Sequence, residues 1–155
     1  MQAGPRKGFV FCLIWFSLFA ARCNDTLIPK AAYFLVSSPT HGDSYVLPLT
    51  RAEDITMARA IIEDPESVTS RIVVARIAKG GGEGRYHNRD ILGKREWSWH
   101  VTELVQFADA TIELLDGTPT YVEEHLDEWI SMTGGMIGFW SYTVTRELDP
   151  SQVES

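Results

Sequence analysis

Short segments that favour β-strands, separated by turn-forming residues, dominate the sequence and most constrain its fold. Each segment is rich in β-branched, aliphatic or aromatic residues, which strands prefer. We predict strands at 31–36, 45–49, 70–79, 96–101, 110–115 and 139–147. In the fourth, strict alternation places Trp97, Trp99 and Val101 on one face and Ser98 and His100 on the other. These strands must meet in one sheet.

Two further features refine the predicted strands. Pro48 lies in the second strand, and proline cannot donate a hydrogen bond to a neighbouring strand, so we expect this strand at an edge of the sheet. The segment 102–107 reads as a short connection that contains, as one alternative, a single helical turn.

A first helix is predicted at 51–64, where apolar residues recur at helical spacing. Thr50 and Glu53 have the spacing of a capping box, in which the two side chains satisfy the first free amides of a helix. Pro65 ends the helix, because a residue before proline avoids helical geometry.

A second helix is predicted at 119–131. Thr118 is its cap, Pro119 takes the first helical position, and Gly134 ends the helical segment. The resulting order β-β-α-β-β-β-α-β predicts an α+β domain: a mainly antiparallel sheet of five to six strands with two helices packed on one face.

A long glycine-rich and basic loop is predicted at 80–95. Its start, G-G-G-E-G, favours flexibility but lacks the Gly-Lys-Ser/Thr ending of a phosphate-binding loop. Long loops in compact domains are often functional. We therefore predict a binding surface, with a merely solvated loop as the alternative. Its residues are Arg85, His87, Arg89, Trp97 and Trp99.

The first 23 residues are typical of a secretory signal peptide. Arg6 and Lys7 precede an apolar run at 9–21, which is shorter than the roughly 20 residues of a membrane span. An uncleaved anchor helix is the alternative. Asn24 begins an N-glycosylation sequon, so we predict a glycan there. We expect a single secreted domain at 24–155, with a core at about 31–148 and a frayed C-terminal tail.

The charge of the expected mature domain limits its partners. The whole chain of 155 residues has a formal charge of −7, and removal of 1–23 leaves 11 basic and 21 acidic residues, a charge of −10. This excess argues against nucleic-acid binding, and we expect no stable membrane insertion after cleavage. The mature domain has no cysteine, or only Cys23, so it must rely on its core.

We assign no catalytic residue, cofactor or metal ligand. His100 and His125 each have a glutamate three residues later, but neither has the second histidine of a helical zinc motif. We expect a secreted, non-enzymatic binding domain with an extracellular protein or carbohydrate partner. One alternative is a small secreted hydrolase or metal-dependent enzyme that uses His100 or His125 with nearby carboxylates. Another is an acidic extracellular-matrix component.

Several blocks resemble the N-terminal domain of the slime-mould calmodulin-binding protein family, a family of unsettled function. They include A-Y-F-L-V at 32–36, W-S-W-H-V at 97–101, V-T-R-E at 144–147 and, most specifically, Y-V-E-E-H-L-D-E at 121–128. The resemblance implies a fold but no catalytic residues. It does not imply calmodulin binding here, because calmodulin targets are basic helices and the helix at 119–131 has four acids and no Lys or Arg.

Overall fold

The computed structural model describes residues 31–82, 88–110 and 117–149, together with residues 1 and 4. The predicted α+β class is confirmed: a six-stranded, mainly antiparallel sheet carries the helices, and a small two-stranded hairpin lies beside it. The strands are β1 Ala32–Ser37, β2 Ser44–Leu49, β3 Ile72–Lys79, β4 Arg89–Asp90, β5 Arg95–Glu96, β6 Trp99–Ala108, β7 Met136–Ile137 and β8 Thr143–Leu148. The helices are α1 Ala52–Glu63, α2 Pro119–Glu124 and α3 Leu126–Thr133.

The strands of the main sheet follow the order β2-β1-β8-β3-β6, and β7 also pairs with β3. The last strand of the chain, β8, thus lies between β1 and β3, with Tyr33 of β1 opposite Leu148 of β8. β2 is an edge strand, as Pro48 predicts. At the other edge, β6 returns towards β2 without closing the sheet into a barrel.

The sixth strand, β6, is longer than predicted. The suggestion of a helical turn at 102–107 is wrong, because β6 runs on to Ala108 and pairs with β3 from Lys79↔Trp99 to Ile72↔Ala108. Two register shifts in this pairing show local irregularities, yet the ladder continues past them. The strand predicted at 110–115 lies almost wholly outside the described residues, as do Asn24, most of the predicted signal segment and the end of the tail.

The helices cover one face of the sheet and share a single core with it. Phe34 and Val36 of β1 belong to this core, whereas Leu35, between them, lies in a small second cluster on the opposite face. Ile61 of α1 and Trp129 of α3 pack into the same large core. Two helical segments packed on one face were predicted, and the shared core agrees with that arrangement.

The helix ends follow the local sequence in part. The capping box of Thr50 and Glu53 is wrong: Arg51 occupies the cap without a side-chain bond, and its guanidinium binds the Glu53 carboxylate instead (Nε–Oε1, 2.9 Å). Thr118 does cap α2, since its hydroxyl accepts a hydrogen bond from the Tyr121 amide (3.1 Å). Gly134 ends α3 in the left-handed region, at φ 66°.

The second helix and the last strand are each divided. His125 leaves helical geometry, at φ −128° and ψ 30°, and separates α2 from α3. The strand predicted at 139–147 is wrong over its first four residues, because a tight turn at 139–142 separates β7 from β8. No helix within the described residues is long and apolar enough to cross a membrane.

Candidate functional site

Trp97 and Trp99 do not form the exposed surface that the sequence suggested. Their side chains are buried in the main core, and their rings stack with centroids 5.6 Å apart. The Trp97 indole donates a hydrogen bond to the Ser44 carbonyl (2.9 Å), and Trp99 packs on Tyr45 of β2. Alternation correctly puts both rings on one face, but that face is covered by the helices and by β2. The two tryptophans therefore join the edges of the sheet rather than contact a ligand.

The basic residues of the predicted binding loop are only partly described. Arg85 and His87 lie outside the described residues. Arg89 lies in β4, where its Nε is 3.8 Å from Glu96 Oε1. A binding role for these three residues stays a prediction.

The histidines considered for catalysis both bond to the backbone. His100 Nδ1 donates to the Gly80 carbonyl (2.7 Å), and His125 Nδ1 donates to the Tyr121 carbonyl (3.0 Å). Ser98 donates its hydroxyl to Glu123 Oε2 (3.0 Å), so its proton points to a carboxylate and not to an imidazole. Within the described part of the chain, no cluster of three or more His, Cys, Asp or Glu side chains is arranged to hold a metal ion.

A buried carboxylate ties the β4–β5 hairpin to β2. Asp90 is 1% exposed, and its Oδ1 accepts hydrogen bonds from the amide and hydroxyl of Ser44 (2.8 and 2.9 Å) and from the Gly93 amide (2.9 Å). Its Oδ2 accepts from Arg95 Nε (3.1 Å), and the Arg95 guanidinium lies 4.2 Å from the centre of the Trp97 ring. We call this arrangement the Asp90 clip. It holds the described end of the long loop in place.

A second buried carboxylate, Asp43, joins α2 to the turn before β8. It accepts hydrogen bonds from the amide and hydroxyl of Thr120 (3.1 and 2.6 Å) and from the Tyr142 hydroxyl. Burial alone would raise the pKa of Asp43, but these bonds outweigh it and hold that pKa below its ordinary value. Burial and the bond to Asp43 raise the pKa of the Tyr142 phenol.

Both carboxylates border a cleft of about 360 Å³, which is also lined by His41, Arg95 and Thr120. The oxygens of Asp43 and Asp90 already accept hydrogen bonds from the protein, so the cleft is occupied by structural interactions. The arrangement stabilises the junction between the β1–β2 loop, the β4–β5 hairpin and α2.

The candidate binding site is a different cleft, of about 540 Å³, at the end of the sheet where β3 and β8 begin and β6 ends. We call it the Trp140 groove. The lining residues that matter below are Glu66, Thr69, Arg71, Asp109, Trp140 and Tyr142. Its volume falls within the range of about 300–1,000 Å³ that is common for small-molecule sites.

A firmly anchored turn presents Trp140 at this groove. The Tyr142 amide donates to the Phe139 carbonyl (3.1 Å), which closes the turn around Trp140 and Ser141. Phe139 and Tyr142 are buried and meet edge to face with ring centroids 5.3 Å apart. Trp140 between them is 48% exposed. The turn is therefore held by its two ends while its indole faces solvent.

Charged side chains of both signs surround this indole. Arg71 Nη1 donates to the Pro65 carbonyl (2.6 Å) and lies 3.5 Å from Glu66 Oε1, so the guanidinium is held at the groove. Asp109 is exposed and makes no ion pair or hydrogen bond with any residue that the structure describes. The groove thus offers an aromatic face, fixed donors and an accessible carboxylate.

The sequence did not identify this site. Strict alternation along a strand at 139–147 would have put Trp140 and Tyr142 on the same face, whereas the turn sends one to solvent and the other to the core. The local signal is weak, since only Ser141, a residue favoured in turns, interrupts the aromatic run. Arg71 and Asp109 come from different strand ends, so only the folded sheet brings them to Trp140.

Comparison with known proteins gives one match. A family model for the N-terminal domain of the calmodulin-binding protein family matches residues 30–151, which is most of the chain. The match spans the blocks on which the sequence resemblance rests and confirms that resemblance. No curated protein and no solved structure matches the chain.

Proposed function

Because the chain belongs to the family of calmodulin-binding protein N-terminal domains, we propose from its own geometry that it is a secreted, non-enzymatic binding domain with its ligand in the Trp140 groove. The observation that carries the proposal is the half-exposed Trp140 indole, fixed by an anchored turn at a cleft of about 540 Å³. Aromatic side chains supply a large contact area with little conformational freedom to lose, which suits a preformed site.

The polar contacts support binding over catalysis. Asp43 and Asp90 are saturated with structural hydrogen bonds, and the Ser98 hydroxyl is bound to Glu123. A carboxyl group that acts as a general acid usually lies in an enclosed apolar pocket, whereas the Asp109 carboxylate at the groove is exposed. A ligand held by such groups is bound without being converted.

The signal-like segment at 1–23 supports secretion, and the acidic helices support an extracellular partner other than calmodulin. α2 and α3 contain no Lys or Arg, whereas calmodulin targets are basic amphipathic helices. The excess of acidic residues also disfavours nucleic acid.

The test compares variants of the mature chain on a panel of defined oligosaccharides and peptides. We expect any ligand that the wild type binds to lose roughly tenfold or more of its affinity in Trp140→Ala, the equivalent of about 1.4 kcal/mol. Tyr121→Ala is the matched control, because Tyr121 is 47% exposed but lies on α2, away from the groove.

Two results would contradict the proposal. The first is equal binding by the wild type and Trp140→Ala. The second is chemical conversion of the bound ligand, detected by mass spectrometry after incubation with the wild-type chain.

A further inference from the structure

The Trp140 indole offers one face to solvent, and this favours a ligand with a flat apolar side. The ring is half exposed at the groove while the turn that carries it is anchored by buried Phe139 and Tyr142. A pyranose presents a face of C–H groups together with hydroxyls at its rim. Stacking on the indole would remove this apolar face from water and leave the hydroxyls free to bind the surrounding side chains.

The charges around the indole favour a neutral ligand. Arg71 provides guanidinium donors, while Glu66 and Asp109 provide carboxylate acceptors. A strongly anionic ligand would meet two carboxylates, and a strongly cationic ligand would meet Arg71. A hydroxyl both donates and accepts, so adjacent hydroxyls of one sugar can satisfy both kinds of side chain at once.

The position of the groove disfavours an extended peptide. Peptides commonly bind by adding a strand to an open sheet edge. At this end of the sheet, Ile72 of β3 already has Ala108 of β6 on one side and Thr143 of β8 on the other. Strand addition is therefore closed at the groove, and recognition falls to side chains.

We infer that the Trp140 groove binds a neutral saccharide, with Trp140 stacked on a sugar ring and Asp109 and Arg71 bound to its hydroxyls. This inference rests on the proposed function of the groove and names the chemical class of its ligand.

The experiment titrates the mature chain with neutral gluco-, manno-, galacto- and chito-oligosaccharides while acrylamide quenches tryptophan fluorescence. The readout is selective, because Trp97, Trp99 and Trp129 are at most 6% exposed and Trp140 is 48% exposed. We expect at least one oligosaccharide to reduce quenching to the level of the buried tryptophans. Its affinity should change little between low and high salt, because a neutral ligand has no charge to screen.

Three variants, each checked for folding by circular dichroism, assign the contacts. We expect Trp140→Ala and Asp109→Asn each to weaken oligosaccharide binding roughly tenfold or more. Glu124→Gln, which removes an exposed carboxylate on α2, should bind as the wild type does.

The outcomes separate this inference from the proposal beneath it. If only charged peptides or other charged ligands bind, and Trp140→Ala abolishes that binding, the saccharide inference is overturned and the groove remains the site. If an oligosaccharide binds equally well to the wild type and to Trp140→Ala, both the inference and the assignment of the groove are overturned. If Asp109→Asn binds as tightly as the wild type, the role of Asp109 in the inference fails.

Discussion

Replacement of Asp90 by alanine should strongly destabilise the protein, because the Asp90 clip satisfies polar groups that have no access to water. The critical partner is Ser44, which is 0% exposed and directs both its amide and its hydroxyl at Asp90 Oδ1. The Arg95 side chain is 45% exposed, so water can replace its contact with Asp90 at little cost.

The expected loss follows from the two Ser44 donors. A buried donor left without an acceptor costs about 1–3 kcal/mol, so Asp90→Ala should lower the free energy of unfolding by about 2–5 kcal/mol. Asp90→Asn keeps an oxygen for Ser44 and Gly93 but turns an amide group towards Arg95 Nε. This variant should lose only about 1–2 kcal/mol. Asp109→Ala, at an exposed carboxylate, should change stability by less than about 0.5 kcal/mol.

The assay is urea unfolding of the three variants and the wild type at neutral pH, followed by tryptophan fluorescence. The slopes of the transitions should agree, so that shifts in midpoint report stability alone. Hydrogen exchange at the Ser44 amide should also accelerate in Asp90→Ala. A loss below about 1 kcal/mol in Asp90→Ala, or equal losses in the alanine and asparagine variants, would refute the reasoning.

Two further predictions concern the Asp43 carboxylate and a glycine turn. Tyr142→Phe should cost about 1.5–3 kcal/mol at neutral pH, because it removes a hydrogen bond to the charged Asp43. Since the folded-state pKa of Asp43 is lowered, that stabilisation is complete above the ordinary aspartate pKa of about 3.9 and is lost as pH falls through the folded value. Urea unfolding across this pH range should show the gap to wild type narrowing in acid, and a constant gap would contradict the assignment. Gly135→Ala should cost more than Gly80→Ala in thermal unfolding, because both glycines have positive φ but only at Gly135 would a Cβ meet a backbone atom, Ile77 O, at 2.7 Å; equal losses would contradict this.

The features predicted correctly from the sequence are those that neighbouring residues determine. Thr118 caps α2 because the bond to Tyr121 spans three residues, and Gly134 ends α3 because glycine tolerates positive φ. The alternation that gives Trp97 and Trp99 one face is likewise a property of the strand itself.

The features that were missed depend on residues far apart in the chain. β6 extends through 102–107 because β3 pairs with it, although those residues have no strong strand signal of their own. Which face of β6 is buried depends on where the helices and β2 pack, and this reversed the expected exposure of the tryptophans. The Trp140 groove joins the start of β3, the end of β6 and the turn before β8, so no single segment of sequence contains it.

The central position of β8 also determines when the sheet can be assembled during synthesis. β1 is among the first described elements to leave the ribosome, yet it pairs with β8, and Tyr33 must wait for Leu148. Until then the growing chain can form the local β1–β2 hairpin and the β3–β6 pair, each with an unpaired edge that can associate with other chains. A ribosome that stalls before β8 would therefore release two unjoined half-sheets, and such nascent chains should depend on chaperones far more than the finished protein does.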